Sequence, residues 1–347
     1  MMPLAFAQDA LLKGFRYPAL AAVIALAVTW LLTPWVRSLA FAKGAVDDPK
    51  IDDRRVHKEP TPRWGGLAIY AGLVASLLIT VTMAYWNAPV RFPWWLVGLV
   101  LVGGGLVVVG ALDDLYQYKA KIQAGLLLLA GFLIQAFAGP KDLHAIDRIQ
   151  IATIGIPFHP GTYWRFVPVV AACLTAFYIF VVTKTMDTID GVDGLAAGLA
   201  TISATTLTII AVYGGQPRVA IVGAALGGAA LGFLKHNYNP ARIFMGTGGA
   251  YVLGFTLACL SIVGALKTAA AASLLIPALV FGVPIFDAFR VITLRLANGQ
   301  PITQADKRHL HHALLGRGLS TKQTVWVLYA ATGILCLTLL ALIRIYA

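Results

Sequence analysis

Charge is what this sequence has least of. Only 12% of its 347 residues are Asp, Glu, Lys or Arg, about half of the roughly 25% found in soluble domains. A chain so poor in charge cannot cover a large water-facing surface, which excludes an ordinary soluble globular fold. Acidic side chains are the rarer kind, 15 against 27 Lys and Arg. Cysteine is nearly missing as well. Cys173, Cys259 and Cys336 lie inside apolar runs, without a CxxC or other ligand spacing. A disulfide framework and a thiolate metal site are therefore both excluded, and each cysteine reads as a small core residue. No internal repeat is visible.

What is present is apolar: 59% of the residues are hydrophobic and the mean hydropathy is +0.78. The apolar material comes in blocks of about 20 residues, the length that crosses a bilayer as a helix. The expectation is one all-α, polytopic membrane helical bundle over residues 1–347. Lys13 and Arg16 precede the first long block. Its length, and the many spans that follow, favour a permanent span over a cleaved signal. The formal net charge of +12 invites a nucleic-acid reading. The basic residues, however, sit in short loops between spans, which points to membrane topology and anionic partners at the lipid surface, with no nucleic acid.

Ten candidate spans are expected at approximately 17–36, 65–85, 93–112, 122–139, 164–183, 194–213, 217–235, 249–266, 269–294 and 323–346. The ninth contains Pro277 and Pro284 and is expected to kink or break. The loops at about 37–64, 113–121, 184–193, 236–248 and 295–322, with the basic residues bordering them, hold 18 Lys and Arg against 9 on the other side. The positive-inside rule makes these five loops cytoplasmic and puts both termini outside. On the outer side, Arg148 to Ile154 alternates roughly and is followed by Gly155 and Pro157, which predicts a short surface hairpin within 140–163.

Every chemically suggestive motif falls in the cytoplasmic set. The first loop, from Asp47 to Gly66, ends Pro60-Thr61-Pro62-Arg63-Trp64-Gly65-Gly66, where two prolines stiffen the chain and two glycines allow close backbone contact. Asp113 and Asp114 end the third span. Adjacent carboxylates at a membrane boundary are costly to desolvate and persist most easily with a divalent cation. Lys119 and Lys121 follow them. Lys184 and Asp187 open a third motif that continues Asp190-Gly191-Val192-Asp193-Gly194. Its three carboxylates, at steps of three, are expected to share one face of a helical turn. The run Phe244-Met245-Gly246-Thr247-Gly248-Gly249-Ala250 opens the eighth span; a helix start favours anions, although glycines beside a membrane helix more often serve packing. The last loop carries Asp306-Lys307-Arg308-His309-Leu310-His311-His312. Three histidines without cysteine support do not make a closed zinc site and read better as donors to phosphate. Asp287 and Arg290, three apart in the ninth span, are expected to pair internally.

Together and in this order, these motifs resemble the polyprenyl-phosphate N-acetylhexosamine-1-phosphate transferases, from about Asp47 to Ser320 and across all five cytoplasmic loops. HKEPTPRWGG and RHLHHALLGRG are similar to the WecA/TagO branch rather than the MraY branch of that superfamily. The resemblance implies transfer of N-acetylhexosamine-1-phosphate, with UDP-N-acetylglucosamine as the first candidate donor, to undecaprenyl or another polyprenyl phosphate, releasing UMP. It also implies a Mg²⁺ cofactor, with Mn²⁺ as the alternative ion, and a multi-pass protein of a bacterial cytoplasmic membrane, with a homodimer possible. Asp113, Asp114, Asp190 and His309 are the catalytic candidates it implies. Lys58, Arg63, Lys121, Lys184, Asp193, Arg308, His311 and His312 are the substrate-binding candidates, and Asp187, Asp190 and Asp114 the metal ligands. Two departures stand out. The family usually has an Asp metal ligand where this chain has Thr247, and asparagines where it has Lys184 and Asp187. The expectation is that Asp187 replaces the ligand lost at Thr247. The rival readings are a transporter and a catalytically silent family member.

Overall fold

The computed structural model describes residues 4–49, 59–86, 93–138, 148–155, 163–265, 272–301 and 308–346. Among these, helices dominate. The first half holds α1 (Leu4–Ala42), α2 (Gly65–Trp86), α3 (Trp94–Tyr116), α4 (Ala120–Leu133), α5 (Pro168–Ile189) and α6 (Leu195–Tyr213). The second half holds α7 (Pro217–Asn237), α8 (Gly246–Leu260), α9 (Ala272–Val280), α10 (Gly282–Ala297), α11 (Leu310–Leu315) and α12 (Thr321–Tyr346).

Eight of these helices, among the described residues, are long and apolar enough to cross a membrane. Two of the ten expected spans differ from these eight, and the ninth breaks as its two prolines predict. The fourth, among the described residues, is a shorter apolar helix of residues Ala120–Ala136, closed by a 3₁₀ turn. The ninth is broken into α9 and α10 at Phe281. Pro284 has no N–H to offer the carbonyl of Val280, four residues back. Ser203 Oγ donates to that carbonyl at 2.9 Å instead, so the break is satisfied by a neighbouring helix.

Helix α8 lies at the centre. It packs on α2, α3, α5, α6 and α7 and is almost wholly buried, whereas α1 and α12 leave most of their surface exposed. Exposed Trp35, Val169, Phe289 and Leu337 make the outer surface apolar, as lipid contact requires. Glycines set the helix spacing. A Cβ on Gly228 or Gly232 of α7 would strike the backbone of α1 at Ala22 and Leu26. Small residues at such crossings let backbones approach, and van der Waals packing replaces the hydrophobic drive that lipid does not supply.

The short hairpin expected within 140–163 is present, and its second strand reaches Arg165. β3 (Thr153–Gly155) pairs antiparallel with β4 (Tyr163–Arg165). Ile151 N donates to Thr175 Oγ1, tying the hairpin to the start of α5. A second small sheet lies at the other end of the bundle. Here β1 (Val46–Asp47) pairs with β2 (Thr61–Pro62) beside the start of α2.

Candidate active site

The β1–β2 pair puts the Pro-Thr-Pro-Arg-Trp-Gly-Gly segment where three helix ends meet. Arg63 N donates to Ala45 O, Phe244 N to Pro62 O, Gly65 N to Phe244 O and Gly66 N to Met245 O. The segment is therefore stitched to both the first loop and the start of α8. Trp64, with a left-handed φ of 80°, donates its indole N–H to Ala111 O of α3 at 2.9 Å. Gly66 and Gly249 pack backbone to backbone, as do Gly110 and Gly248. These contacts bring the last turn of α3, which carries Asp113 and Asp114, against the first turn of α8, which carries Thr247.

The two adjacent carboxylates have opposite surroundings. Asp113 is saturated. Its Oδ1 accepts from Tyr118 N at 2.8 Å and Gln123 Nε2 at 3.0 Å, and its Oδ2 from Thr247 Oγ1 at 2.9 Å and Gln123 Nε2 at 3.1 Å. Asp114 is not. Its Oδ1 accepts from Thr247 N at 3.1 Å and lies 3.7 Å from Arg63. Its Oδ2 is buried and has no hydrogen-bond partner among the described residues. Gly246, with φ +69°, leaves room for that oxygen, which a Cβ there would strike. Arg63 also reaches Asp47 Oδ1 at 2.8 Å and so links the first loop to α3.

The third motif does not form one continuous helical face. α5 ends at Ile189, Asp190 is its cap residue, and Gly194 takes a left-handed φ of 81°. This corrects the expected turn of three aligned carboxylates. Asp187 lies in the last turn of α5 and is paired with Lys184 at 2.6 Å. Asp190 follows it and feels the charges of Asp187 and Asp114. Asp193 turns away to brace a loop, its Oδ2 accepting from Asn239 Nδ2 at 2.9 Å and Ala241 N at 3.0 Å. Burial, and then Asp187 and Asp114, push the Asp190 carboxyl up to about 8, against the partial relief of Arg63.

The histidines form a separate wall of the same site. The ring of His311 is seated against Gly191, the residue after Asp190. It lies between His309, stacked at 5.6 Å, and His312 at 4.4 Å between ring centroids. Burial, followed by the neighbouring His312 and His309, lowers His311 to about 3, so its imidazole is neutral near pH 7. The predicted Asp287–Arg290 pair is not made. Asp287, 1% exposed, accepts instead from His309 Nδ1 at 2.7 Å and from Leu310 N at 2.6 Å. Arg290 donates to the carbonyl of Arg308. The reason is geometric: α11 begins at Leu310, and its first N–H supplies a second, local donor to Asp287. Arg308 donates to Leu294 O at 3.3 Å and to Gln300, capping the end of α10.

Lys121 lies exposed at the start of α4. Lys58 falls outside the described residues. Several residues of the site carried no signal in the sequence: Gln123 as a partner of Asp113, Trp64 as a clamp on α3, Asn239 as a partner of Asp193 and Asp287 as a partner of His309. A polar residue flanked by apolar ones announces polarity, not a partner.

The donor set suits a hard cation. An unpartnered, buried carboxylate oxygen on Asp114, with Asp187 and Asp190 within electrostatic reach, is what Mg²⁺ would neutralise. Among the described residues, no three Asp, Glu, His or Cys side chains already converge on one point. Mg²⁺ seldom uses such a cage: it keeps water and takes oxygen from substrate phosphates.

Residues 94–265, which include Asp113, Asp114, Asp187, Asp190 and Thr247, match glycosyl transferase family 4. The chain is 34% identical over 312 residues to the probable undecaprenyl-phosphate N-acetylglucosaminyl 1-phosphate transferase of Bacillus subtilis (strain 168), covering 89% of this chain and 80% of that protein. It is 32% identical to the decaprenyl-phosphate N-acetylglucosaminephosphotransferase of Mycolicibacterium smegmatis, covering 92% and 80%. It is 31% identical to the phospho-N-acetylmuramoyl-pentapeptide-transferase of Bacillus cytotoxicus, covering 90% and 94%.

Proposed function

Because the chain belongs to glycosyl transferase family 4, among the polyprenyl-phosphate N-acetylhexosamine-1-phosphate transferases, we propose that it moves N-acetylglucosamine-1-phosphate from a UDP-sugar to a polyprenyl phosphate and releases UMP. The names of the Bacillus subtilis and Mycolicibacterium smegmatis relatives support this donor sugar and this class of acceptor. The observation that carries the reading is the meeting of α3 and α5 carboxylates at the N-terminus of α8, with one oxygen of Asp114 left unpaired. The acidic groups lie at helix ends rather than midway along the helices, the wrong depth for a transporter's central site.

The acceptor phosphate, with a second pKa of about 6, is mostly a dianion at neutral pH and needs little deprotonation. One of its oxygens attacks the sugar-linked phosphorus, and the bond from that phosphorus to the bridging oxygen breaks, so that UMP leaves with the bridging oxygen. The main obstacle is repulsion between acceptor and diphosphate. Arg63, Lys121 and the neighbouring histidines offset it with positive charge and hydrogen-bond donors. Asp113, every acceptor site of which is already used, holds the α3–α8 junction in place. Asp287 accepts from His309 Nδ1 and so orients the ring, which leaves Nε2 as the acceptor of that tautomer, directed away from Asp287 toward a sugar hydroxyl or a protonated phosphate oxygen. Asp114, Asp187 and Asp190 are the proposed holders of Mg²⁺, which would supply electrostatic stabilisation of the departing UMP. Asp187 takes this role in place of the carboxylate missing at Thr247.

The test is purified protein incubated with undecaprenyl phosphate, Mg²⁺ and a panel of UDP-sugars, with released UMP and the lipid product both measured. UMP release that depends on UDP-N-acetylglucosamine and on the lipid acceptor is the expected result. Turnover only with the muramyl-pentapeptide nucleotide would reassign the donor, and no turnover with any donor would remove the reading.

A further inference from the structure

Gln123 lies on α4 and belongs to none of the motifs, yet it touches more of the acidic centre than any other neutral side chain there. Its Nε2 donates to both oxygens of Asp113, at 3.0 and 3.1 Å, and its Oε1 accepts from Lys184 Nζ at 2.8 Å. Lys184 in turn holds Asp187 at 2.6 Å. A continuous chain of contacts thus runs from Asp187 on α5, through Lys184 and Gln123, to Asp113 on α3, and ends at Thr247 on α8.

We propose that Gln123 is a positioning residue for Asp113 and that Lys184 determines which way its amide faces. The argument is one of donors and acceptors. An ammonium can only donate, and an ionised carboxylate can only accept. An amide between the two has one satisfied orientation, with its oxygen on Lys184 and its nitrogen on Asp113. Turned over, it would set donor against donor at Lys184 and acceptor against acceptor at Asp113. Gln123 in turn supplies two of the four hydrogen bonds that Asp113 accepts. Lys184 therefore acts on Asp113 without touching it. The cation also offsets the charge of Asp187 beside the other carboxylates. This inference rests on the transferase reading for its kinetic test, and on structure alone for its stability test.

Both tests use the whole chain in detergent or nanodiscs. In Gln123→Met, kcat is expected to fall about 10- to 100-fold, the range seen when a supporting shell is removed, with KM for either substrate changed far less. Lys184→Met is expected to lower kcat, and Lys184→Arg, which keeps a donor-only cation, to restore most of it. Lys184→Met placed in the Gln123→Met background is expected to cost clearly less than in the wild type, because the relay is already cut. The same four proteins give a second cycle from thermal midpoints without substrate, where the two substitutions are expected to be non-additive. Unchanged kcat in Gln123→Met, or additive effects in both cycles, would overturn the proposal. A wild-type protein that releases no UMP would count against the activity instead, and the midpoint cycle would still decide the relay.

Discussion

At the scale of single residues, the site separates carboxylates that look alike in the sequence. Asp113 has a full set of donors, while Asp114 keeps one oxygen unpaired. Asp114→Asn is therefore expected to abolish UMP release while leaving the fold intact, since its free oxygen makes no protein contact to lose. Asp113→Asn is expected to lower both kcat and thermal stability, because an amide nitrogen would face Gln123 and Thr247 donors. Asp190 gives a prediction in the opposite direction. Its pKa, raised to about 8 from 3.8, means the folded state holds a proton more tightly than the unfolded chain. The stability this contributes is complete below about 3.8 and is lost as the pH rises through about 8. Asp190→Asn is thus expected to raise the metal-free thermal midpoint at pH 8 and to weaken the upward shift that Mg²⁺ gives the wild type. A variant with an unchanged midpoint and a full Mg²⁺ shift would sink this assignment. His311 runs the other way. Lowered from 6.5 to about 3, it costs stability as the pH falls from 6.5 toward 3, so His311→Asn is expected to flatten the acid side of a midpoint-against-pH curve.

At the scale of elements, glycine contacts decide where the chemistry sits. Gly110 on α3 and Gly248 on α8 meet without side chains, and Gly249 meets Gly66 on α2 in the same way. A methyl group at Gly110 would push α3 off α8 and draw Asp114 away from Thr247 N. Gly110→Ala is therefore expected to cost about 1–3 kcal/mol, as overpacking does, and to lower kcat further than the stability loss alone explains. The control is Gly105→Ala, also on α3, where a Cβ meets nothing within 4 Å; its midpoint and activity should match the wild type. The break between α9 and α10 belongs here too. Pro277 and Pro284 made a disruption legible in the sequence. They did not reveal that α10 would carry Asp287 beneath the histidine wall, because that depends on where α11 begins.

At the scale of the whole molecule, the site-bearing ends of α2, α3, α5, α8 and α10 share one end of the bundle, and the β3–β4 hairpin occupies the other. The uneven distribution of Lys and Arg supports the proposal that the site end faces the cytoplasm. A cysteine introduced at Ser320 should therefore resist a membrane-impermeant maleimide in intact cells, while one at Trp164 should react. The reverse pattern would invert the topology. Cys259 and Cys336 are buried, whereas Cys173 is exposed, against the expectation that all three are core residues, so both variants are made in a Cys173→Ser background.

The sequence by itself determined the solvent, the helical class, the one-sided clustering of charge and the motifs that match the family. Hydropathy, residue spacing and loop charge are local quantities, and each can be read from neighbours along the chain. In the glycine motif both readings meet: Gly248 and Gly249 pack against backbone, while Gly246 leaves room for Asp114 and Thr247 N donates to it. Only the tertiary structure decided which carboxylate oxygen is free, that Asp193 braces a loop and that Asp287 serves His309 rather than Arg290. Gln123 belongs with these, joining Lys184 to Asp113. A hydrogen bond between residues 61 positions apart depends on where two helix ends come to rest, and neither residue carries that information alone.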